Sequence, residues 1–161
     1  MLNIRPATKD DAYLLKTLIH DLAECDRLEA ETIVTNEDVL RDGFGERPKF
    51  RALIAEWDRH VAGYALFFEF YSSFQGRAGL FLEDIFVRPS LRKKGIGTEL
   101  LAAVTKIARD EEDFCLRWEV LDWNKPAIEF YQNLNAEFLD EWRSVCLIGE
   151  DMLAVTAKAG R

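Results

Sequence analysis

A run of cations beside glycines, "RKKGIGT", is the stretch of this sequence whose residue types and spacing most clearly suggest chemistry. Glycine has no Cβ, so its backbone N–H can approach an anion closely. The helix predicted to follow offers unpaired N–H groups and a partial positive charge at its start. A helix start beside solvated lysines is the alternative interpretation. We predict a phosphate-binding loop formed by Arg92, Lys93, Lys94, Gly95, Ile96, Gly97 and Thr98.

Two common nucleotide-binding motifs do not match this loop. A P-loop needs Gly-x-x-x-x-Gly-Lys-Ser/Thr, whereas Gly97 is followed by Thr98 and Glu99. A dinucleotide-binding fold needs Gly-x-Gly-x-x-Gly near the start of the chain, whereas Leu100 takes the place of the third glycine here. The predicted phosphate therefore belongs to a different kind of ligand.

Two adjacent carboxylates, Glu83 and Asp84, interrupt the apolar strand "AGLFLEDIFV". Carboxylates inside an apolar strand are costly unless they have partners, so we expect one of them to face a wet cleft. Side chains on a regular strand alternate between the two faces of the sheet. The alternation predicts that one face carries Leu80, Leu82 and Asp84, and the other Phe81, Glu83 and Ile85.

Length and composition restrict the class of protein. A chain of 161 residues, 48% of them hydrophobic, suits a single compact domain, 1–161. A net charge of -8 argues against a nucleic-acid partner and is compatible with a cationic substrate. We find no apolar run long enough to span a membrane and no signal-peptide pattern at the N-terminus, so we expect a cytoplasmic protein without a membrane partner.

Cysteine and histidine usage suggests neither disulfides nor a metal site. Cys25, Cys115 and Cys146 are widely spaced and odd in number, so we expect reduced thiols. His20 and His60 are isolated, and no cluster has metal-ligand spacing, so we expect no metal. No cysteine lies in a motif with a base, which argues against a covalent intermediate on a cysteine.

The elements that must position these residues follow from periodicity and turn signals. Capping pairs, Thr8 with Asp11 and Thr35 with Asp38, predict the starts of two helices after a first strand. A hairpin, the strand "AGLFLEDIFV", a helix through "TELLAAVTKIARDEE", a strand at "FCLRWEVL", a helix opened by Asn124 and a last strand at "WRSVCLI" follow. The predicted order, β-α-α-β-β-β-α-β-α-β, indicates an α/β (α+β) fold with helices on the faces of a mixed sheet.

Several stretches together resemble the GCN5-related N-acetyltransferase (GNAT) superfamily. The loop Arg92-Lys-Lys-Gly95-Ile-Gly97 is similar to the Arg/Gln-x-x-Gly-x-Gly/Ala loop that holds the pyrophosphate of acetyl-CoA there. The strand end "IFV" and the later "NKPAIEFYQNLNAEF" are also similar. "IRPAT", "EDVLRDGFGERP", "FLEDIFV" and "WNKPAIEFYQNLNA" narrow the resemblance to the spermidine/spermine (diamine) and thialysine acetyltransferases.

The resemblance implies a GNAT fold, acetyl-CoA as co-substrate, a homodimer and acetylation of the primary amine of a small-molecule substrate. It implies Tyr131 as general acid at the CoA sulfur and Glu83 as base, directly or through a water. Besides the phosphate-binding loop, the cofactor-binding residues that it implies are Ile85, Phe86, Val87, Asn124, Pro126, Ala127 and Tyr131.

Elementary chemistry supports these two catalytic roles. An alkylammonium has a pKa of about 10.4 and must lose a proton before it attacks, while the departing thiolate must be protonated or stabilised. A phenol with a pKa of about 10 still carries a proton at neutral pH, so Tyr131 can act as an acid. The alternatives are an amphipathic packing role for Tyr131 and a structural ion pair for Glu83. Asp84 is the carboxylate that we expect to be structural.

Carried over by position, the substrate-binding residues are Cys25, Asp26, Glu83, Trp118 and Glu119. The related enzymes carry tyrosine then glutamate where this chain has Cys25 and Asp26, so the amine stays open between a polyamine, thialysine, ornithine and a short diamine. Two alternatives remain: acetylation of a protein or antibiotic amine, and an acyl-CoA-binding module without catalysis.

Overall fold

The structure is a computed structural model that describes residues 1–159, and its centre is a five-stranded mixed sheet of order β1-β2-β3-β4-β5. β1 to β4 pair antiparallel, and β5 pairs parallel to β4. The strands are β1 (Leu2–Pro6), β2 (Arg51–Trp57), β3 (His60–Ser72), β4 (Arg77–Val87) and β5 (Leu116–Trp118). The predicted mixed sheet with flanking helices is confirmed.

Within residues 1–159, five α-helices accompany the sheet: α1 (Ala12–Asp26), α2 (Asn36–Phe44), α3 (Ile96–Asp110), α4 (Lys125–Asn133) and α5 (Glu150–Ala159). The chain divides into two compact units, one from Met1 to Glu119 and the other from Val120 onward. The first unit holds the whole sheet with α1 to α3, and the second holds α4 and α5. The single domain 1–161 stays a prediction.

The first unit buries apolar residues on both faces of its sheet. On one face, residues of α1 and α2 such as Leu15, Leu18 and Val39 pack with Ile54 and Tyr64 of the strands. On the opposite face, α3 buries one side of its amphipathic surface, as its 3.6-residue periodicity predicts. The buried residues of α3 are Ile96, Leu100, Leu101, Val104 and Ala108.

A β-bulge in β4 changes the predicted faces of this strand. Leu66 of β3 pairs with Asp84 and the next residue, Phe67, pairs with Leu82, so Glu83 is an extra residue without a partner. Since consecutive residues of β3 point to opposite faces, Asp84 and Leu82 also do. The prediction that Leu82 and Asp84 share a face is therefore wrong, because the alternation restarts at the bulge.

The predicted last strand is also absent. Residues 142–148 form no strand, and α5 begins two residues later. A strand is stable only when its backbone pairs with a neighbouring strand, and no strand of the described residues pairs with this segment. Trp142 and Val145 within it are exposed. β5 is likewise shorter than "FCLRWEVL", because only Leu116–Trp118 pairs with β4.

The predicted capping pairs are formed, and the first belongs to a larger ion pair. The Asp11 carboxylate accepts the Thr8 backbone N–H at 2.8 Å. Arg5 donates from Nη1 and Nη2 to the two Asp11 oxygens, both at 2.8 Å, and from Nε to Glu56 at 3.0 Å. Arg5 and Thr8 lower the pKa of Asp11 from 3.8 to about 2. This network joins β1 and β2 to the start of α1.

We expect Asp11→Asn to lower the free energy of unfolding by about 2 kcal/mol at pH 7. A depressed pKa in the folded state stabilises the protein above the unfolded value of 3.8, and this contribution disappears as pH falls through about 2. Urea unfolding of both proteins between pH 2 and 7 measures the difference. Asp38→Asn, at the exposed cap of α2, is the matched control with a smaller loss. A constant difference across this pH range would contradict the assignment.

Candidate active site

The carboxyl half of β4 has a free backbone edge. β5 pairs only with Leu80–Leu82, so beyond Leu82 no strand within residues 1–159 covers that side of β4. The predicted cofactor-binding residues Ile85 and Val87 are half-buried there, whereas the Phe86 side chain is buried in the core under α1. Phe86 can therefore contribute to binding only through its backbone. Such an edge offers N–H and C=O groups to an extended ligand.

The predicted phosphate-binding loop leads from this strand into α3. Lys93 and Gly95 both have positive φ, 62° and 80°. Gly95 is the N-cap of α3, and within the described residues no side chain caps this helix. The space where a Gly95 Cβ would stand is open. The N–H groups at the start of α3 therefore remain available to an anion.

The side chains of the loop suit a diphosphate. Arg92, Lys93, Lys94 and Thr98 are exposed, Gly97 is half-buried and Ile96 anchors the helix in the core. Lys94 lies over the Trp57 ring, with Nζ 5.5 Å from the centroid. Full charges beside uncapped N–H groups form the donor set that phosphate groups prefer. The residues present therefore fit the diphosphate of acetyl-CoA.

Arg92 links the phosphate-binding loop to the C-terminal end of α1. Its Nε donates to the Val87 carbonyl at 2.9 Å, and its Nη2 donates to Cys25 Sγ at 3.6 Å. Burial raises the pKa of Asp26, while the charge of Arg92 acts in the opposite direction. The structure thus places the predicted substrate residues Cys25, which is exposed, and Asp26, which is half-buried, beside the phosphate-binding loop.

The two carboxylates of β4 have different surroundings. Glu83 is exposed at the bulge, whereas Asp84 is half-buried and accepts a hydrogen bond from the Tyr64 hydroxyl at 2.9 Å. Burial, with the charges of Glu83 and Asp26, raises the pKa of Asp84 to about 6, although the Tyr64 hydrogen bond lowers it. The hydrogen bond to the buried Tyr64 agrees with the structural role expected of Asp84, and the raised pKa also makes this carboxyl group titratable near pH 6.

Sequence reasoning did not predict the partner of Asp84. Tyr64 is fully buried on β3, and burial, followed by the charge of Asp84, raises its pKa well above 10. The sequence does place a tyrosine, Tyr64, on the predicted strand that pairs with the strand of Glu83 and Asp84. To identify it as the partner of Asp84, one must know how the two strands pair at the bulge, and the sequence pattern does not show that pairing.

The remaining predicted residues lie at β5 and in the second unit. Trp118 pairs with Leu82, next to the bulge, and Glu119 follows it and is exposed. In the second unit, the Asn124 side chain caps α4 by accepting the Ala127 N–H at 3.3 Å. Pro126 lies in the first turn of α4. Tyr131 is buried, with its ring tilted against Phe130 at 5.3 Å between centroids.

Residues 1–159 contain neither a recognisable metal-binding cluster nor a helix suited to a membrane. No group of three or more His, Cys, Asp or Glu side chains in this range is arranged to hold a metal ion. None of the helices that the structure describes combines the length and the apolar composition needed to cross a membrane.

Comparison of the sequence relates the chain to known acetyltransferases. The sequence profile of the Acetyltransferase (GNAT) family matches residues 15–136. The chain is 36% identical over 166 residues to thialysine N-epsilon-acetyltransferase of Sus scrofa, covering 96% of this chain and 97% of that protein. It is 34% identical over 140 residues to spermidine/spermine N(1)-acetyltransferase-like protein 1 of Homo sapiens, covering 83% of this chain and 20% of that protein.

Solved structures share the fold at low sequence identity. An integron cassette protein from the mobile metagenome of V. cholerae superposes with a TM-score of 0.80 at 20% identity, covering 96% of this chain and 97% of that one. An aminoglycoside N-acetyltransferase in complex with CoA superposes with a TM-score of 0.73 at 21% identity, covering 92% and 95%.

Proposed function

The chain belongs to the Acetyltransferase (GNAT) family and is an N-acetyltransferase, and from this premise we propose that it transfers the acetyl group of acetyl-CoA to a small cationic amine. The observation that carries the proposal is the similarity to a thialysine acetyltransferase over 96% of the chain. The carboxylates Glu83, Asp84 and Asp26 beside an open strand edge support a cationic substrate.

The phosphate-binding loop and β4 are the proposed binding site for acetyl-CoA. Arg92, Lys93 and Lys94 supply positive charge, and the uncapped start of α3 supplies N–H donors. The backbone of residues 83–87 offers hydrogen bonds to the extended arm. Acetyl-CoA, when bound, supplies an activated thioester carbonyl. The resemblance alone adds Asn124, Pro126, Ala127 and Tyr131 to the proposed contacts.

The proposed reaction is a direct attack of the amine on the acetyl carbon. Glu83 accepts the proton that the substrate ammonium must lose, directly or through a water. The freed nitrogen pair forms the C–N bond as the C–S bond breaks, and the nitrogen releases a second proton to water. Tyr131 donates its proton to the departing sulfur and recovers one from solvent. Glu83 releases its proton to water after the amide has formed, so each group begins and ends the cycle in the same protonation state.

The amine that we propose is thialysine-like, with a short diamine or polyamine as the next candidate. Asp26 keeps the charge that the related enzymes place there on a longer side chain, and Cys25 replaces their aromatic residue. Trp118 and Glu119 complete the proposed substrate residues. A net charge of -8 favours the approach of such a cation.

An amine panel tests the proposed function. Purified protein is incubated with acetyl-CoA and thialysine, ornithine, spermidine, a short diamine, a lysine-containing peptide or an aminoglycoside, and thiol release is measured. We expect kcat/KM for a small amine to exceed that for the peptide and the aminoglycoside by at least ~10-fold. Preference for the peptide or the aminoglycoside would contradict the proposed substrate class.

Calorimetry with CoA separates the proposed function from a binding module without catalysis. Binding of CoA without acetylation of any amine would support a non-catalytic CoA-binding module and would contradict the proposed reaction. No binding of CoA at all would remove the proposed co-substrate. The expected result is binding together with turnover.

We also propose a homodimer, as the resemblance implies. Exposed apolar side chains in the second unit support it, since exposed apolar surface commonly marks an interface: Trp142, Val145, Leu147, Ile148 and Leu153. Sedimentation equilibrium of the purified chain measures its mass, and a monomer at micromolar concentration would contradict this assembly. The cytoplasmic location, and the absence of nucleic-acid and membrane partners, stay predictions.

A further inference from the structure

A hydrogen-bonded pair of titratable side chains, Tyr64 and Asp84, is not used by the mechanism above. The bulge at Glu83 turns Asp84 toward the face of α1, where the Tyr64 hydroxyl reaches Asp84 Oδ2 at 2.9 Å. Tyr64 is fully buried between strand and helix, so its ring cannot leave this position without opening the core. One oxygen of Asp84 is therefore fixed by a rigid donor.

The Asp84 carboxylate is not completely enclosed. It accepts the Tyr64 hydroxyl on Oδ2, and its side chain is half-buried on a strand whose edge is the proposed acetyl-CoA site. A carboxylate that is held at one oxygen and is partly exposed is oriented to accept a proton.

Acidic side chains on β4 and α1 contribute to the electrostatic field at the Tyr64–Asp84 pair. Glu83 on β4 and Asp26 on α1 raise the pKa of Asp84, and Asp21 on α1 acts on Tyr64. Two cations balance them in part. Arg88 forms an ion pair with Asp21 at 3.4 Å, and Arg92 lies near Asp26.

We propose that the base of the reaction is the pair Glu83–Asp84 rather than Glu83 alone, with Tyr64 as the positioning residue that holds Asp84. This inference rests on the proposed function. The proton leaves the substrate ammonium, forms an O–H bond with one carboxylate of the pair, and passes to water after the amide has formed. Asp84, with a pKa of about 6, is ionised in most molecules at pH 7 and can accept it.

Two substitutions test the role of the Glu83–Asp84 pair in the pH dependence of kcat/KM. They are expected to shift its acid limb, the rise of kcat/KM at low pH, in opposite directions. Tyr64→Phe removes the donor that stabilises the Asp84 carboxylate, so we expect the acid limb to move up by about one pH unit. Asp84→Asn removes a negative charge beside Glu83, so we expect the acid limb to move down and kcat/KM at its plateau to fall ~10²-fold. A merely structural role does not produce opposite shifts.

Asp113→Asn is the matched control. Asp113 is also half-buried, and burial also raises its pKa, but it lies before β5, outside the site. We expect its pH profile to equal that of the wild type. Carbon-13 NMR of the aspartate carboxyl groups supplies a readout without turnover: a titration near pH 6 that is missing in Asp84→Asn and moves up in Tyr64→Phe.

The outcomes separate this inference from the proposed function. If the wild type acetylates an amine and both variants keep its pH profile, the pair is overturned and the proposed function stands. If the wild type acetylates no amine, the proposed function fails and this inference fails with it. If Asp84→Asn does not fold, as judged by thermal unfolding, Tyr64→Phe and its NMR titration decide the question alone.

Discussion

Replacing Tyr131 with phenylalanine lowers kcat by about 10²- to 10⁴-fold and leaves the affinity for CoA unchanged, if the phenol is the general acid. The substitution removes only the hydroxyl, so the buried ring and its contact with Phe130 remain. Without the acid, the thiolate must depart unprotonated or wait for a proton from water. Steady-state kinetics with the best amine of the panel measures kcat, and calorimetry measures CoA affinity.

Tyr13→Phe is the matched control for this experiment, because Tyr13 is exposed on α1 and lies outside the proposed site. Its kcat is expected to equal that of the wild type. Unchanged kcat in Tyr131→Phe would remove the acid role from this residue. A parallel loss of CoA affinity or of thermal stability would instead indicate that Tyr131 acts by packing.

Gly63→Ala is expected to cost about 3 kcal/mol in the free energy of unfolding. A Cβ built at Gly63 would lie 2.0 Å from the Phe86 carbonyl oxygen, which belongs to the neighbouring strand and cannot rotate away. The alanine variant must therefore push β3 and β4 apart where β4 carries the proposed site. Urea unfolding measures the loss of stability, and CoA binding is expected to weaken with it.

Gly76→Ala separates this close approach from the general cost of replacing a glycine. Gly76 has φ of 68° in the β3–β4 turn, but its Cβ would have no neighbour within 4 Å. Only backbone strain of about 1 kcal/mol is expected there. Equal losses in the two variants would show that strand contact at Gly63 is unimportant.

Local signals accounted for most of the secondary structure that the sequence could predict. The pairs Thr8–Asp11 and Thr35–Asp38 mark helix starts because each pair makes its hydrogen bonds within four residues. The loop before α3 was predictable for the same reason, since Gly95 supplies the left-handed N-cap by itself. Such features depend on neighbours in the chain and need no knowledge of the tertiary structure.

Features that depend on distant partners were not predictable. The bulge at Glu83 exists only in the pairing of β4 with β3, so simple alternation assigned Asp84 to the wrong face. The Tyr64–Asp84 hydrogen bond could not be predicted for the same reason, because it joins residues on different strands. The segment 142–148 has the composition of a strand, yet composition cannot provide a partner strand.

The extra residue at the bulge makes the length of β4 as important as its composition. Deleting Glu83 would remove the bulge and leave a regular ladder, in which Leu82 still pairs with Phe67 and Asp84 with Leu66, so Asp84 would still face Tyr64. The inserted residue therefore adds a second, exposed carboxylate to the strand without changing the pairing of its two neighbours. A homologous strand that is one residue shorter would keep the Tyr64–Asp84 contact and lose the exposed carboxylate.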